Sequence, residues 1–246
     1  MATAPVVSLR EAVCLLGRFP ALAGVDLVVD PGEVVLLQGP NGAGKSTLLR
    51  LCAGLLRLES GGGTVLGHDL TTDRRGLRRR VGLVGHATML YDDLSVADNV
   101  TFWADMAGVD SVDVPAILAR LGIERLADLA VRHLSAGQRR RTAIAAMIVR
   151  RPELWLLDEP HAGLDQAGRD VVDRLVADAV SAGATVLMAS HELERVRSLV
   201  SRTVTIAGGV VHRDERRSYG DRAAAAESER SGDTAGVAGT GAVADA

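Results

Sequence analysis

The stretch that most restricts what this chain can become is Gly39-Pro40-Asn41-Gly42-Ala43-Gly44-Lys45-Ser46, followed by Thr47. It fits the pattern G-x-x-x-x-G-K-[ST]. Glycine has no Cβ, so such a loop can adopt left-handed dihedrals and bring its backbone close to a polyphosphate. Successive N–H groups then line a concavity suited to oxygen anions, and a helix starting at its end adds the positive pole of its dipole. Lys45 supplies a full positive charge for the terminal phosphates, and the Ser46 hydroxyl is placed to ligate Mg²⁺. The flanks agree. Val34-Val35-Leu36-Leu37-Gln38 reads as a buried strand, and Leu48, Leu49, Leu51, Cys52 and Leu55 recur at helical spacing across residues 47–56. Strand, glycine loop and helix in that order predict a chain that binds a nucleoside triphosphate through Gly39 to Thr47.

A second apolar run, Leu154-Trp155-Leu156-Leu157, ends in Asp158-Glu159-Pro160. Carboxylates at the C-terminal end of a buried strand lie where open parallel sheets bind ligands. Asp158 would hold Mg²⁺, directly or through water, and Glu159 would polarise the attacking water as general base. An ordinary solvated strand end is the bland alternative; the glycine loop upstream weighs against it.

The 246 residues suffice for one large α/β domain or two small ones. Residues 6–29 alternate imperfectly between apolar and polar, broken by Gly17, Pro20 and Gly24, which predicts short antiparallel strands. Pro31-Gly32 marks a turn. Gly61-Gly62-Gly63 reads as a loop before a short strand, Thr64-Val65-Leu66-Gly67, and Val81–Val84 as another strand. Between residues 92 and 133 the apolar spacing turns helical, with a break at 110–115, as an insert within an α/β core. A helix is predicted over 138–149, a long one over Gln166–Ser181 closed by Gly183, and a strand over Thr185–Ala189. Strand–helix–strand order implies a parallel sheet with right-handed crossovers. From Ser218 the chain offers almost nothing to bury, so 218–246 reads as a disordered tail on a domain of residues 1–217.

Composition narrows the function classes. With 47% hydrophobic but 2% aromatic residues, the core must be built from Leu, Val and Ala. A net charge of -3 gives no overall attraction to nucleic acid, and no nucleic-acid partner is expected. Of the basic runs Arg78–80, Arg139–141 and Arg150–151, the first and third read as solvated helix faces. Cys14 and Cys52 have no metal or redox spacing and read as small core side chains in a reducing compartment. No apolar run approaches the roughly 18 residues of a membrane span, and no signal peptide is read at the N-terminus. The expectation is a cytoplasmic chain; at a membrane, a separate polypeptide would do the spanning.

Leu134-Ser135-Ala136-Gly137-Gln138 resembles the signature motif of ATP-binding cassette (ABC) ATPases, with Ala136 where glycine is more usual. Gly163-Leu164-Asp165 resembles the D-loop of that family, and His191 stands after a strand where the family has its switch histidine. The resemblance spans residues 6–213. It implies an α/β P-loop NTPase of ABC type: a mostly parallel core sheet, an N-terminal antiparallel β part and a helical signature subdomain at about 92–135. It also implies hydrolysis of ATP to ADP and phosphate with Mg²⁺, in a head-to-tail homodimer. There Ser135, Gly137 and Gln138, at a helix N-terminus, would donate to the γ-phosphate of the nucleotide bound by the partner. Ser135 reads equally as a helix N-cap. His191 is either a γ-phosphate sensor or a helix-capping histidine, and Ser190-His191-Glu192 favours the sensor.

Two departures from the family stand out. His86 occupies the loop position where many members carry glutamine. It is read either as a catalytic group near the Mg²⁺–water cluster or as a coupling residue. Phe19, the sole aromatic near the N-terminus, either stacks on adenine or simply packs.

Val84-Gly85-His86, the run Leu94-Ser95-Val96-Ala97-Asp98-Asn99-Val100-Thr101-Phe102-Trp103 and the Leu-Ser-Ala-Gly-Gln signature together resemble the ATP-binding subunit of the haem exporter of cytochrome c maturation. That resemblance implies separate transmembrane permease subunits and a place on the inner face of the cell membrane. Another small exporter of drug, lipid or peptide is the second reading. A soluble ABC protein acting on ribosomes or DNA is the third; such proteins usually carry two cassettes or a long coiled-coil insertion, and neither is present. No C-x-x-C-H motif occurs, so the chain itself is not expected to bind haem.

Overall fold

The computed structural model describes residues 3–216, and the tail expected over 218–246 lies outside the described residues. The chain opens with a hairpin, β1 (Val7–Leu16) and β2 (Phe19–Val29), then passes through β3 (Val34–Gln38) into α1 (Lys45–Cys52). Strands β4 (Ser60–Val65) and β5 (His68–Asp69) lead through α2 (Arg74–Arg80) to β6 (Val81–Val84). Helices α3 (Val96–Ala107), α4 (Val114–Arg120) and α5 (Ala136–Ile148) follow, then β7 (Leu154–Asp158), α6 (Gln166–Ser181) and β8 (Thr185–Ala189). A short α7 (Leu193–Val196) and a terminal hairpin, β9 (Arg202–Ala207) and β10 (Val210–Arg216), complete it.

Two sheets result. One has four antiparallel strands in the order β2-β1-β4-β5; the other has six, in the order β10-β9-β3-β8-β7-β6, parallel throughout except for β10. The central strands are apolar without interruption because both their faces are covered. Val35, Leu37, Leu154, Leu156, Leu187 and Ala189 point to α1 and the antiparallel sheet. Their neighbours Val34, Leu36, Trp155, Leu157, Val186 and Met188 point to the core beneath α3, α4, α5 and α6. Alternation at period two thus splits one sheet between two cores. No helix among the described residues is long and apolar enough to cross a membrane. Both cysteines are buried and unbridged, and burial pushes the Cys52 thiol up to about 12.

Gly61-Gly62-Gly63 is strand, not loop: it pairs with β1 inside β4. The glycines are there for clearance. A Cβ on Gly61 would lie 2.2 Å from the Glu11 carbonyl oxygen, and one on Gly63 would lie 2.6 Å from Leu9 Cδ2. The strand read over 64–67 accordingly stops at Val65, where Leu66 and Gly67 turn with positive φ. The helical spacing from Ile117 to Leu129 is likewise partly illusory. It resolves into α4 and a 3₁₀ turn, Glu124–Leu126. The terminal hairpin was not anticipated, because buried Arg202 interrupts its apolar pattern. Arg202 is satisfied by Asp214, Glu33 and the Val28 carbonyl.

The helical insert starts from a buried polar anchor. Asn99 is fully buried on α3, accepts from the Tyr91 N–H at 2.8 Å, and donates to the Tyr91 carbonyl at 3.0 Å and the Ser95 carbonyl at 2.9 Å. Ser95 caps the helix by accepting from the Asp98 N–H at 3.0 Å, and Gly108 ends it in the left-handed conformation. Asn99→Ala strands several of these backbone groups away from water. It is expected to lower unfolding stability by about 1–3 kcal/mol in urea titrations; an unchanged midpoint would contradict the anchor.

Candidate active site

Strands β3, β8 and β7 lie side by side and run parallel, so the segments after their C-terminal ends share one edge. The glycine loop follows β3, Ser190-His191 follows β8, and Asp158-Glu159 closes β7. The loop is shaped by what backs it. A Cβ on Gly39, at φ 140°, would fall 2.0 Å from the Ile206 carbonyl oxygen; one on Gly44, at φ 108°, would fall 2.6 Å from the Ala21 carbonyl oxygen. The Gly208-Gly209 turn between β9 and β10 ties the two sheets behind it. Gly209 N–H donates to the Ala43 carbonyl at 3.1 Å, and its own carbonyl accepts from Ala23 N–H at 2.8 Å.

Gly44 caps α1 without a side-chain acceptor, which leaves the first-turn N–H groups facing the loop. Lys45 is only 8% exposed, and its Nζ donates to the carbonyls of Gly39 at 2.7 Å and Pro40 at 3.0 Å. Ser46 is half-buried and Thr47 buried in the same turn; Pro40, Asn41 and Gly42 form the exposed lip.

Across the edge, Glu159 has φ 50°, a left-handed conformation that non-glycine residues rarely adopt. Its N–H donates to the Ala189 carbonyl at 2.8 Å. Its carboxylate accepts from the His191 N–H at 3.3 Å and lies 3.4 Å from His191 Nε2. The structure therefore brings together Glu159 and His191, which the sequence separates widely. Asp158 stands half-buried beside them.

Ser135 does cap α5. Its Oγ accepts from Gln138 N–H at 3.2 Å while Gln138 Oε1 accepts from Ser135 N–H at 2.9 Å, a reciprocal capping box. Gly137 is pressed against the Gly163 carbonyl, where a Cβ would lie at 2.6 Å. Asp165 then caps α6 through the Gly168 N–H. No hydrogen bond among the described residues links Ser135, Gly137 or Gln138 to this chain's own glycine loop. His86 is exposed, with no hydrogen bond or ion pair among the described residues. Phe19 is 80% exposed, so the packing alternative is not realised within this chain.

Arg140 is the functional candidate that the sequence reading passed over. From α5 it donates to the carbonyls of Gly85 at 2.6 Å, Glu159 at 2.7 Å and Asp158 at 3.3 Å. Burial holds its guanidinium below the ordinary arginine value, partly offset by the Asp158 and Glu159 carboxylates. A signal existed: Arg140 lies four residues before Ile144 and seven before Met147, on the apolar face of its helix. A cavity of about 320 Å³ was also missed. Leu55, Met89, Trp103, Met147 and Arg150 line it, with the Arg150 guanidinium 5.5 Å from the Trp103 ring centre.

The family model described as ABC transporter matches residues 22–162. This chain belongs to the ABC transporter family. Among its relatives is the cytochrome c biogenesis ATP-binding export protein CcmA of Bradyrhizobium diazoefficiens, 39% identical over 74% of this chain and 90% of the relative. The protein of the same name from Xanthomonas campestris pv. campestris is 37% identical over 82% of this chain and 94% of its own length. Among solved structures, the ATP-binding subunit of an ABC transporter superposes with a TM-score of 0.79 at 25% identity, covering 86% of this chain and 90% of that one. A dimeric cassette in a post-hydrolysis state, bound to ADP and Pi, also gives 0.79, at 26% identity over 87% of this chain and all of its own. The chain is an ATP-binding cassette of ABC type, an ATPase, with the mixed and antiparallel sheets of that fold.

The left-handed backbone at Glu159 makes a stability test possible. An L side chain there costs about 1–2 kcal/mol. Glu159→Gly is therefore expected to keep or raise the melting temperature of the ABC cassette. A marked drop in calorimetry would show that the carboxylate's contacts outweigh the strain.

Proposed function

We propose that this cassette hydrolyses ATP to drive a membrane export complex serving cytochrome c biogenesis, at the step that moves or releases haem. The observation that carries the catalytic half is the Glu159–His191 pair, set beside the glycine loop by three adjacent parallel strands. The relatives named above support the biological half.

In this reading Lys45 exchanges its two carbonyl partners for the terminal phosphates, and the backbone N–H groups from Gly39 to Thr47 cradle them. Glu159 takes the proton from the attacking water as general base. His191, already within reach of Glu159, donates to the γ-phosphate. The Ser46 hydroxyl and Asp158 carboxylate are hard oxygen donors that suit Mg²⁺. No cluster of three His, Cys, Asp or Glu forms a metal cage among the described residues. When bound, Mg²⁺ would neutralise charge on the phosphates.

Two copies arranged head to tail, as the family resemblance implies, would place Ser135, Gly137 and Gln138 of each on the nucleotide of the other. Phe19, exposed at the start of β2, offers a face for adenine. The cavity around Trp103 and Met89 suits an apolar segment of a separate permease, which would hold the cassette at the inner face of the membrane. His86, exposed in the loop that contributes Met89, couples that contact to the site. Haem need touch only the membrane partner.

Glu159→Gln is expected to keep ATP binding and lose about 10²–10⁴-fold in turnover; near-normal hydrolysis would remove Glu159 from the role. Lys45→Ala is expected to lose ATP binding itself. Mixing Lys45→Ala chains with Ser135→Arg chains leaves one intact composite site per heterodimer, so partial activity is expected. Complete absence of recovery would count against shared sites. Co-purification with the membrane partner, followed by a haem-dependent ATPase assay, tests the export reading.

A further inference from the structure

Arg140 is 6% exposed and, among the described residues, makes no hydrogen bond to a carboxylate. A buried guanidinium is costly unless its donors are used, and this one uses them on backbone carbonyls of two separate segments. One segment is the end of β7. There Nη2 donates to the Glu159 carbonyl at 2.7 Å and the Asp158 carbonyl at 3.3 Å. Glu159 sits at φ 50°, and its left-handed peptide geometry is pinned at both ends: its N–H by the Ala189 carbonyl, its C=O by Arg140. The other segment is the loop after β6, where Nη1 donates to the Gly85 carbonyl at 2.6 Å. Gly85 has no side chain to pack, and the space where its Cβ would stand is open, so this bond is its tether. The third anchor is Arg140's own helix, α5, which begins at the signature residues.

We infer that Arg140 is a positioning residue for hydrolysis: it sets the backbone of Glu159 and ties that setting to the Gly85-His86 loop and to the signature helix. A shift of either element relative to β7 is then felt at Glu159 through one rigid side chain. The geometry requires arginine. Its planar fork serves three carbonyls at once, whereas lysine brings a compact ammonium that keeps the charge but not the spread of donors. The inference rests on the proposed role of Glu159 as the base.

The experiment compares the parent with Arg140→Lys, Glu159→Gln and the double variant. Rates are measured in single-turnover hydrolysis of MgATP and scaled to the chains that bind the fluorescent analogue TNP-ATP. Arg140→Lys is expected to lower the rate by about 10–100-fold, the scale of a misplacement of about 1 Å, with nucleotide affinity within about twofold of the parent. Adding Arg140→Lys to Glu159→Gln is expected to cost less than about twofold more, since the group it positions is already gone. Arg140→Met, which removes every donor, is expected to be no better than Arg140→Lys. An unchanged rate in Arg140→Lys overturns the inference. So does a full further loss in the double variant, or a loss explained entirely by fewer TNP-ATP-binding chains. If Glu159→Gln itself hydrolyses normally, the base assignment falls and the inference with it. If Glu159→Gln is inactive while Arg140→Lys is normal, the inference alone falls.

Discussion

Everything at the catalytic edge depends on backbone packed against backbone where side chains would not fit. The carbonyl oxygens of Ile206 and Ala21 occupy the space that Cβ atoms on Gly39 and Gly44 would need. One belongs to the parallel sheet and the other to the antiparallel sheet. The glycine loop is therefore wedged between two layers, and its curvature is a property of the whole fold. The Gly208-Gly209 turn completes the wedge by bonding to both Ala43 and Ala23. Lys45 stays buried by donating to two of the loop's own carbonyls.

What the sequence made legible follows from which signals are local. The loop, β3, β7 and β8 announce themselves through short apolar runs and glycine spacing, because both faces of those strands are covered. Ser135 as a cap was readable from Ser-x-x-Gln alone. Pairings that depend on distant segments were not. Gly61-Gly62-Gly63 has the composition of a loop, and only the Glu11 and Leu9 atoms above it explain why a strand needs glycine there. Arg202 and Asp214 conceal a terminal hairpin because their charges neutralise each other inside it. Arg140 hid in a run of three arginines, where residue type alone does not tell the buried member from its half-buried neighbours.

The site shows the same division. Its residue types were evident, but not their mutual arrangement. The sequence gives no hint that the Glu159 backbone is left-handed, nor that His191 closes to within 3.4 Å of it. The exposed Phe19 and His86 remain without partners among the described residues. Ser135 is in a similar position, satisfied as a helix cap yet exposed. In the proposed reading these groups act on other molecules, so the isolated fold explains their presentation and not their use.

The outer strand of the six-stranded sheet carries a consequence of its own. Among the described residues β10 pairs only with β9, and its sequence from His212 to Arg216 is polar and exposed, with every residue ionisable. An unpaired strand edge invites another chain to extend the sheet, and charge along it deters that. In the proposed head-to-tail dimer, adhesion along this margin would compete with the face that meets the nucleotide. On that reading, the charge along this margin leaves association to the surfaces that hold ATP.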